Sequence, residues 1–123
     1  MLDPLGPGGS RRYRRAAHDL KSDRTLDTTL EVAPPDSVLV LDGVFLHRDE
    51  LAGVWDFSVF LDVPFEVTAQ RMAVRDGSPP DAEHPSLRRY VGAQRHYLRT
   101  CTPRQRASVV VDNSELDAPR LVG

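Results

Sequence analysis

The stretch SVLVLDGVFL, residues 37–46, determines which fold class the chain is assigned to. Residues 38–41 are apolar without polar alternation, which is typical of a strand buried on both faces, as in a parallel sheet. Asp42 follows directly, at the carboxyl end of this strand, where α/β sheets carry their chemistry. The stretch therefore predicts a core strand over residues 37–42 that ends in a carboxylate.

Further apolar runs and helical patterns surround this strand. The runs at 57–63 and 107–113 predict two more buried strands. A short helix is predicted over 45–56, a second from Pro64 to about residue 76, and a third from Ser86, its expected N-cap, to Pro103. Strands that alternate with helices predict an α/β fold with a parallel sheet covered by helices.

Composition narrows the class of protein. The chain has 123 residues, enough for one small domain, and its 40% hydrophobic and 28% charged content is that of a globular protein. A net charge of -2 argues against a general nucleic-acid binder, and no apolar run is long enough for a membrane span. Cys101 is the only cysteine, so no internal disulfide forms and a cytoplasmic location fits.

Asp42 and Gly43 are the first candidate site. A carboxylate at the end of a buried strand can hold Mg²⁺, and the glycine lets a ligand approach the backbone. An ordinary strand-terminal turn would contain the same two residues. Asp62 and Asp112 also end apolar strands, which favours the ordinary interpretation for those two.

Arg71 and Arg75 are the second candidate site, because they lie four apart on one face of a predicted helix. Like charges at this spacing destabilise a helix, and no carboxylate lies three or four residues from either arginine. Asp76 is expected to face neither of them well. The pair therefore predicts a bound anion such as phosphate, with an ordinary solvated face as the alternative.

The stretch AHDLKSDR, residues 17–24, supplies the third candidate. Its short polar side chains, with Asp19 and Arg24 as the main candidates, could contact the hydroxyls and base edge of a nucleoside. A plain polar turn is the alternative. The stretch GPGG at 6–9 is no phosphate loop, since that loop requires Gly-Lys before a helix and Lys21 is the only lysine.

Four segments occur together in an order that points to one family. They are RRYRRAAHDLKSDRT, VLVLDGVFL, DFSVFLDVPFEVTAQRMAVRD and RRYVGAQRHYLRTCTPRQRASVVVDN. Their combination, over roughly residues 2–122, resembles the C-terminal portion of the uridine kinase group of P-loop kinases. The resemblance implies a doubly wound parallel sheet of the P-loop NTPase type. It also implies an enzyme that uses Mg²⁺ and transfers the γ-phosphate of ATP to uridine or cytidine.

The resemblance also implies residue roles. Asp42 looks like the second acidic motif and would be the metal ligand. Arg71 and Arg75 look like catalytic arginines of a lid, over about residues 64–90, that reach the ATP phosphates. His18 and Asp19 look like the family's Tyr-Asp pair at the nucleoside.

Arg24 looks like the basic residue that follows this pair. The sequence departs from the family in several places. The phosphate loop and the first catalytic aspartate are missing, DGSPPDAEHP replaces an Arg-Gly-Arg run, and histidine replaces the tyrosine at position 18.

The resemblance therefore leads us to expect an inactive, truncated part, 1–123, of a single kinase domain whose parent phosphorylates a small nucleoside in pyrimidine salvage. Two alternatives stay open. One is a binding or interaction module derived from the kinase fold, and the other is a P-loop kinase for pantothenate or a sugar phosphate. An open strand flank predicts self-association into a homo-oligomer.

Overall fold

The structure, a computed structural model, describes residues 2–19 and 21–122. The chain is mixed α/β and divides into two compact units, Met1–Asp42 and Gly43–Gly123. None of the described helices combines the length and the apolar character that a membrane span needs.

The first unit is built from short antiparallel ribbons. After helix α1 (Leu2–Leu5), strand β1 (Arg12–Tyr13) pairs with β4 (Glu31–Val32), and β2 (His18–Asp19) pairs with β3 (Arg24–Thr25). No described residue of this unit is buried, so strand pairing and surface contacts hold it together rather than a core.

The second unit contains a three-stranded mixed sheet. Strand β5 (Val59–Asp62) runs parallel to β6 (Val109–Asp112), and β7 (Arg120–Val122) adds to β6 in the antiparallel direction. The two apolar strands predicted here are therefore confirmed. The expected all-parallel sheet is wrong, because the C-terminal residues fold back along β6.

Helices connect the two parallel strands of this unit. Helix α2 (Phe65–Asp76) follows β5, and α3 (Arg88–Cys101) and the short α4 (Pro103–Arg106) precede β6. Turns of 3₁₀ helix occur at Asp49–Leu51 and Pro85–Leu87. The predicted second and third helices are confirmed, whereas the helix expected over 45–56 is reduced to the first of these turns.

Local residues explain where the helices begin and end. Gly77 terminates α2 with a left-handed backbone, at a φ of 71° that suits glycine. The N-cap role predicted for Ser86 is wrong, because Leu87 holds that position before α3 and no side chain caps the helix. His84 instead caps the preceding 3₁₀ turn, where its Nδ1 accepts from the backbone N–H of Ser86.

The core of the second unit lies where α2 packs near α3. Its buried members are Ala69, Ala82, Leu87 and Val91, with Phe65 and Met72 partly buried against them. Leu87 ends the 3₁₀ turn before α3, and Val91 lies within α3.

The core strand predicted over residues 37–42 is wrong. These residues adopt no strand, and the side chains of Val38 and Val40 are each 86% exposed. An apolar run becomes a buried strand only if another strand pairs with it and other elements cover its faces, and no described strand pairs with it here. Similarly, β5 is exposed on one face, at Val59 and Leu61, rather than buried on both.

Candidate functional site

The polar residues of the first unit meet in the ribbon formed by β2 and β3. Asp19 lies opposite Arg24 in the antiparallel register, and His18 lies opposite Thr25. The register therefore places Asp19 and Arg24 side by side on one face of the ribbon, whereas His18, the neighbour of Asp19 in β2, lies on the other face. We call His18, Asp19 and Arg24 the polar ribbon.

The turn after β2 fixes the carboxylate of Asp19. The hydroxyl of Ser22 donates to it at 2.5 Å, and the backbone N–H of Lys21 donates at 3.2 Å. These two hydrogen bonds, the one from Ser22 above all, hold the pKa of Asp19 below its usual range. Asp19 is thus an ionised, partly buried acceptor. The other member of β2, His18, places its Nε2 3.0 Å from a carboxylate oxygen of Asp23.

A second set of contacts stabilises the neighbouring β1–β4 ribbon and was missed from sequence. Arg15 donates to both carboxylate oxygens of Glu31, at 2.6 and 3.0 Å, and the hydroxyl of Tyr13 donates to the same group at 3.3 Å. The Arg15 hydrogen bond lowers the pKa of Glu31. Tyr13 and Arg15 of the basic run SRRYRR therefore have a structural role within their own unit.

Arg75 lies at the end of α2 and pairs with its neighbour. It donates three hydrogen bonds to the carboxylate of Asp76, at 2.7 to 3.0 Å. The expectation that Asp76 faces neither arginine is therefore wrong, because the long guanidinium side chain curls back to the adjacent residue at the helix end. The same contact lowers the pKa of Asp76. The Arg75 side chain remains 74% exposed.

Arg71 points to a different partner. Its Nη2 donates to the backbone carbonyls of Asn113 and Ser114, at 2.7 and 2.8 Å. Arg71 therefore joins α2 to the segment that follows β6. The two arginines of the expected lid lie on one helix, but each is held by its own acceptor rather than by a shared one.

Asp42, the predicted metal ligand, is exposed at the end of the irregular apolar stretch. Among the residues that the structure describes, no three His, Cys, Asp or Glu side chains are grouped closely enough to hold a metal ion. The protein side chains described here therefore do not fit a resident metal centre at Asp42.

Two carboxylates lie side by side at the carboxyl ends of the parallel strands. Asp62 of β5 and Asp112 of β6 are partners in the register. Arg104 pairs with Asp62, whereas Arg120 donates to Asp112 at 3.0 Å. Asp62 does not cap α2, since the position before this helix is Pro64 and no side chain caps it.

A shallow cleft of about 250 Å³ lies beside Asp62. Its lining combines apolar with polar side chains, namely Phe60, Asp62, Leu98, Thr102, Pro103, Arg104 and Gln105. Asp62 and Arg104 are the charged side chains of this lining, and they form an ion pair. Their charges therefore already neutralise each other.

Comparison of the chain with protein-family models, with curated proteins and with solved structures found no match. The functional interpretation therefore rests on the residues and their geometry.

Proposed function

We propose that this chain carries the nucleoside-binding and lid parts of an ATP-dependent nucleoside kinase that resembles uridine kinase. The observation that carries the proposal is the antiparallel register of β2 and β3, which places Asp19 opposite Arg24 beside His18. The first unit would bind the nucleoside, and a phosphate-binding role is proposed separately for an arginine of the second unit.

The chemistry of the polar ribbon suits a nucleoside. The low pKa of Asp19 keeps its carboxylate ionised near neutral pH, so it accepts hydrogen bonds from paired ribose hydroxyls. Arg24 presents several N–H donors, which suit the carbonyl groups of a pyrimidine. Because Arg24 is exposed and Asp19 is only partly buried, binding by this ribbon is expected to be weak.

Arg75 is the arginine better placed to contact phosphate. Its partner Asp76 is itself half-exposed, and a surface ion pair of this kind contributes about 0–1 kcal/mol. A phosphate group carries more charge than a carboxylate and accepts two parallel hydrogen bonds from a guanidinium, so it can displace Asp76. Arg71, whose Nη2 is held by two carbonyls, would position the helix that carries Arg75.

The chain by itself is not expected to transfer phosphate. Phosphoryl transfer in this class depends on a loop of backbone N–H groups and a lysine that surround the phosphates. Lys21 is the only lysine, and it follows no glycine-rich strand-to-helix loop. Mg²⁺ would arrive with ATP, held by phosphate oxygens and water.

A second candidate function is an interaction module without kinase chemistry. It is favoured by a separate observation, the exposed apolar side chains of residues 38–41. In addition, β5 has no strand on its second edge within the described part of the chain. Such groups pair readily with another polypeptide.

Ligand binding distinguishes these functions. We expect saturation-transfer NMR to detect uridine on the full chain, with a dissociation constant on the order of 1 mM, equivalent to about −4 kcal/mol. Asp19→Asn should abolish the signal, whereas Asp36→Asn, which alters an exposed carboxylate outside the polar ribbon, should retain it.

The same experiment includes 2′-deoxyuridine, pantothenate and ribose 5-phosphate. Weaker binding of 2′-deoxyuridine is expected, because Asp19 loses a hydroxyl partner. Absence of uridine binding, or equal binding by Asp19→Asn, would contradict the proposal. A preference for pantothenate or the sugar phosphate would instead assign a different substrate class.

A further inference from the structure

The second unit begins with a segment that side chains from two helices hold in place. The backbone N–H of His47 donates to the hydroxyl of Tyr97 in α3 at 3.0 Å, and its carbonyl accepts from Arg106 in α4 at 2.9 Å. Phe45 packs edge-on against the Tyr97 ring, with the centroids 5.1 Å apart. We call residues 45–48 the latch.

The backbone of the latch is strained. Phe45 has a φ of 62°, in the left-handed region that bulky side chains rarely adopt. A residue persists in this conformation only where the surrounding contacts hold it there. Loss of the contacts to Tyr97 and Arg106 would therefore let the latch relax into a different conformation.

His47 lies at the centre of the latch and is only 7% exposed. Its Nε2 is buried without a hydrogen-bond partner among the described residues. The guanidinium of Arg106 contacts its carbonyl and also pairs with Asp49 at 2.6 Å, which occupies that carboxylate. The remaining nearby charges, Arg48 and Glu50, pair with each other at 3.7 Å. Within the part of the chain that the structure describes, neither of these carboxylates is thus left free for a protonated His47.

We infer that the latch is acid-sensitive and that protonation of His47 releases it from Tyr97 and Arg106. The buried ring would gain a positive charge beside a guanidinium, with no anion to balance it. Tyr97 offers no such balance, since burial raises the pKa of its hydroxyl and keeps it neutral.

The direction of the pH effect follows from the same environment. Burial first, and Arg106 second, hold the pKa of His47 below its ordinary value of about 6.5. The open latch binds the proton more readily than the closed one, so acid favours opening. Closure is therefore fully stabilised above the ordinary pKa and is progressively lost as the pH falls below it.

The chain contains its own reporter of this opening. Trp55 is the only tryptophan, and its indole N–H donates to the carbonyl of Leu46 in the latch at 2.8 Å. We expect the emission maximum to shift to the red, and acrylamide quenching to increase, between about pH 7.5 and about pH 5. The helical circular dichroism should stay constant over this range, because α2 and α3 do not depend on the latch residues for their own hydrogen bonds.

Two variants and one further measurement complete the experiment. His47→Gln, which cannot be protonated, should abolish the red shift, and His96→Gln, at an exposed position of α3, should retain it. A red shift that persists in His47→Gln, or its absence from the wild type, would overturn the inference. Proton NMR of the wild-type histidines covers the case in which His47→Gln does not fold. One of the four imidazoles should then titrate with a pKa below that of an ordinary histidine, over the same pH range as the emission shift. Four imidazoles that all titrate at the ordinary pKa would also overturn the inference.

Discussion

The Nη2 of Arg71 lies 2.7 Å from the carbonyl oxygen of Asn113, and so a helix side chain is fixed to the segment after β6. The same nitrogen donates to the carbonyl of Ser114 at 2.8 Å. Asn113 and Ser114 follow Arg71 in the sequence by 42 and 43 positions, respectively. Arg71 therefore contributes to the packing of α2 beside the sheet.

The first prediction follows from this contact. Arg71→Ala should lower the free energy of unfolding by about 1–3 kcal/mol, because two carbonyl acceptors lose a charged donor. Arg89→Ala, which removes an exposed arginine of α3, should change it by less than about 0.5 kcal/mol. Urea unfolding followed by circular dichroism measures both, and equal values for the two variants would refute the structural role of Arg71.

The second prediction concerns Arg75, whose ion pair with Asp76 lies at the surface. Arg75→Ala should change the free energy of unfolding by less than about 1 kcal/mol. It should nevertheless weaken the binding of tripolyphosphate, measured by NMR titration, while Arg88→Ala on the exposed start of α3 should not. Unchanged binding in Arg75→Ala would exclude Arg75 as a phosphate contact.

Sequence patterns were sufficient for the elements whose signals are local. Helix α2 begins after Pro64 and ends before Gly77, close to the two ends predicted from the sequence. The apolar run at 38–41 failed as a strand prediction, because its composition does not reveal whether neighbouring strands are present to pair with it. Strand β7 was not predicted for a related reason. Its residues form a strand by pairing with β6, and the sequence of β7 alone does not reveal that pairing.

The third prediction concerns acid stability and Asp112. Hydrogen bonds from the hydroxyl and N–H of Ser114, with a smaller effect of Arg120, lower the pKa of Asp112. A carboxyl group whose folded pKa is lowered stabilises the fold above its ordinary pKa, and this stabilisation disappears as the pH falls through the folded value. Between about pH 5 and about pH 3, wild-type stability should therefore fall more steeply than that of Asp112→Asn.

Urea unfolding at several pH values measures this difference. Asp117→Asn, which alters an exposed carboxylate near the same segment, should keep the wild-type slope. Parallel pH profiles for the wild type and Asp112→Asn would show that the contact with Ser114 does not stabilise the fold.

The fourth prediction concerns self-association through the apolar residues 38–41. The double variant Val38→Lys, Val40→Lys should sediment as a smaller species than the wild type at the same concentration, because lysine disfavours edge-to-edge contacts. Val74→Lys changes an apolar residue of α2 that is 91% exposed, and it should sediment like the wild type. A monomeric wild type at all concentrations would remove the support for the interaction module.

The candidate site was predictable only in part. The polar ribbon was found because His18, Asp19 and Arg24 lie within seven residues of one another, so one tight antiparallel pairing is enough to place Asp19 beside Arg24. The pairing of Asp62 with Arg104 could not be found in this way, since it joins residues 42 positions apart whose contact depends on tertiary packing.

Chemical-shift mapping of the ¹⁵N-labelled chain with uridine tests the nucleoside-binding role of the polar ribbon most directly. The account predicts that the backbone amides of β2 and β3 shift in a saturable manner, and that Asp19→Asn removes these shifts while Asp36→Asn retains them. Saturable shifts confined to the second unit, or no saturable shifts in the wild type, would contradict it.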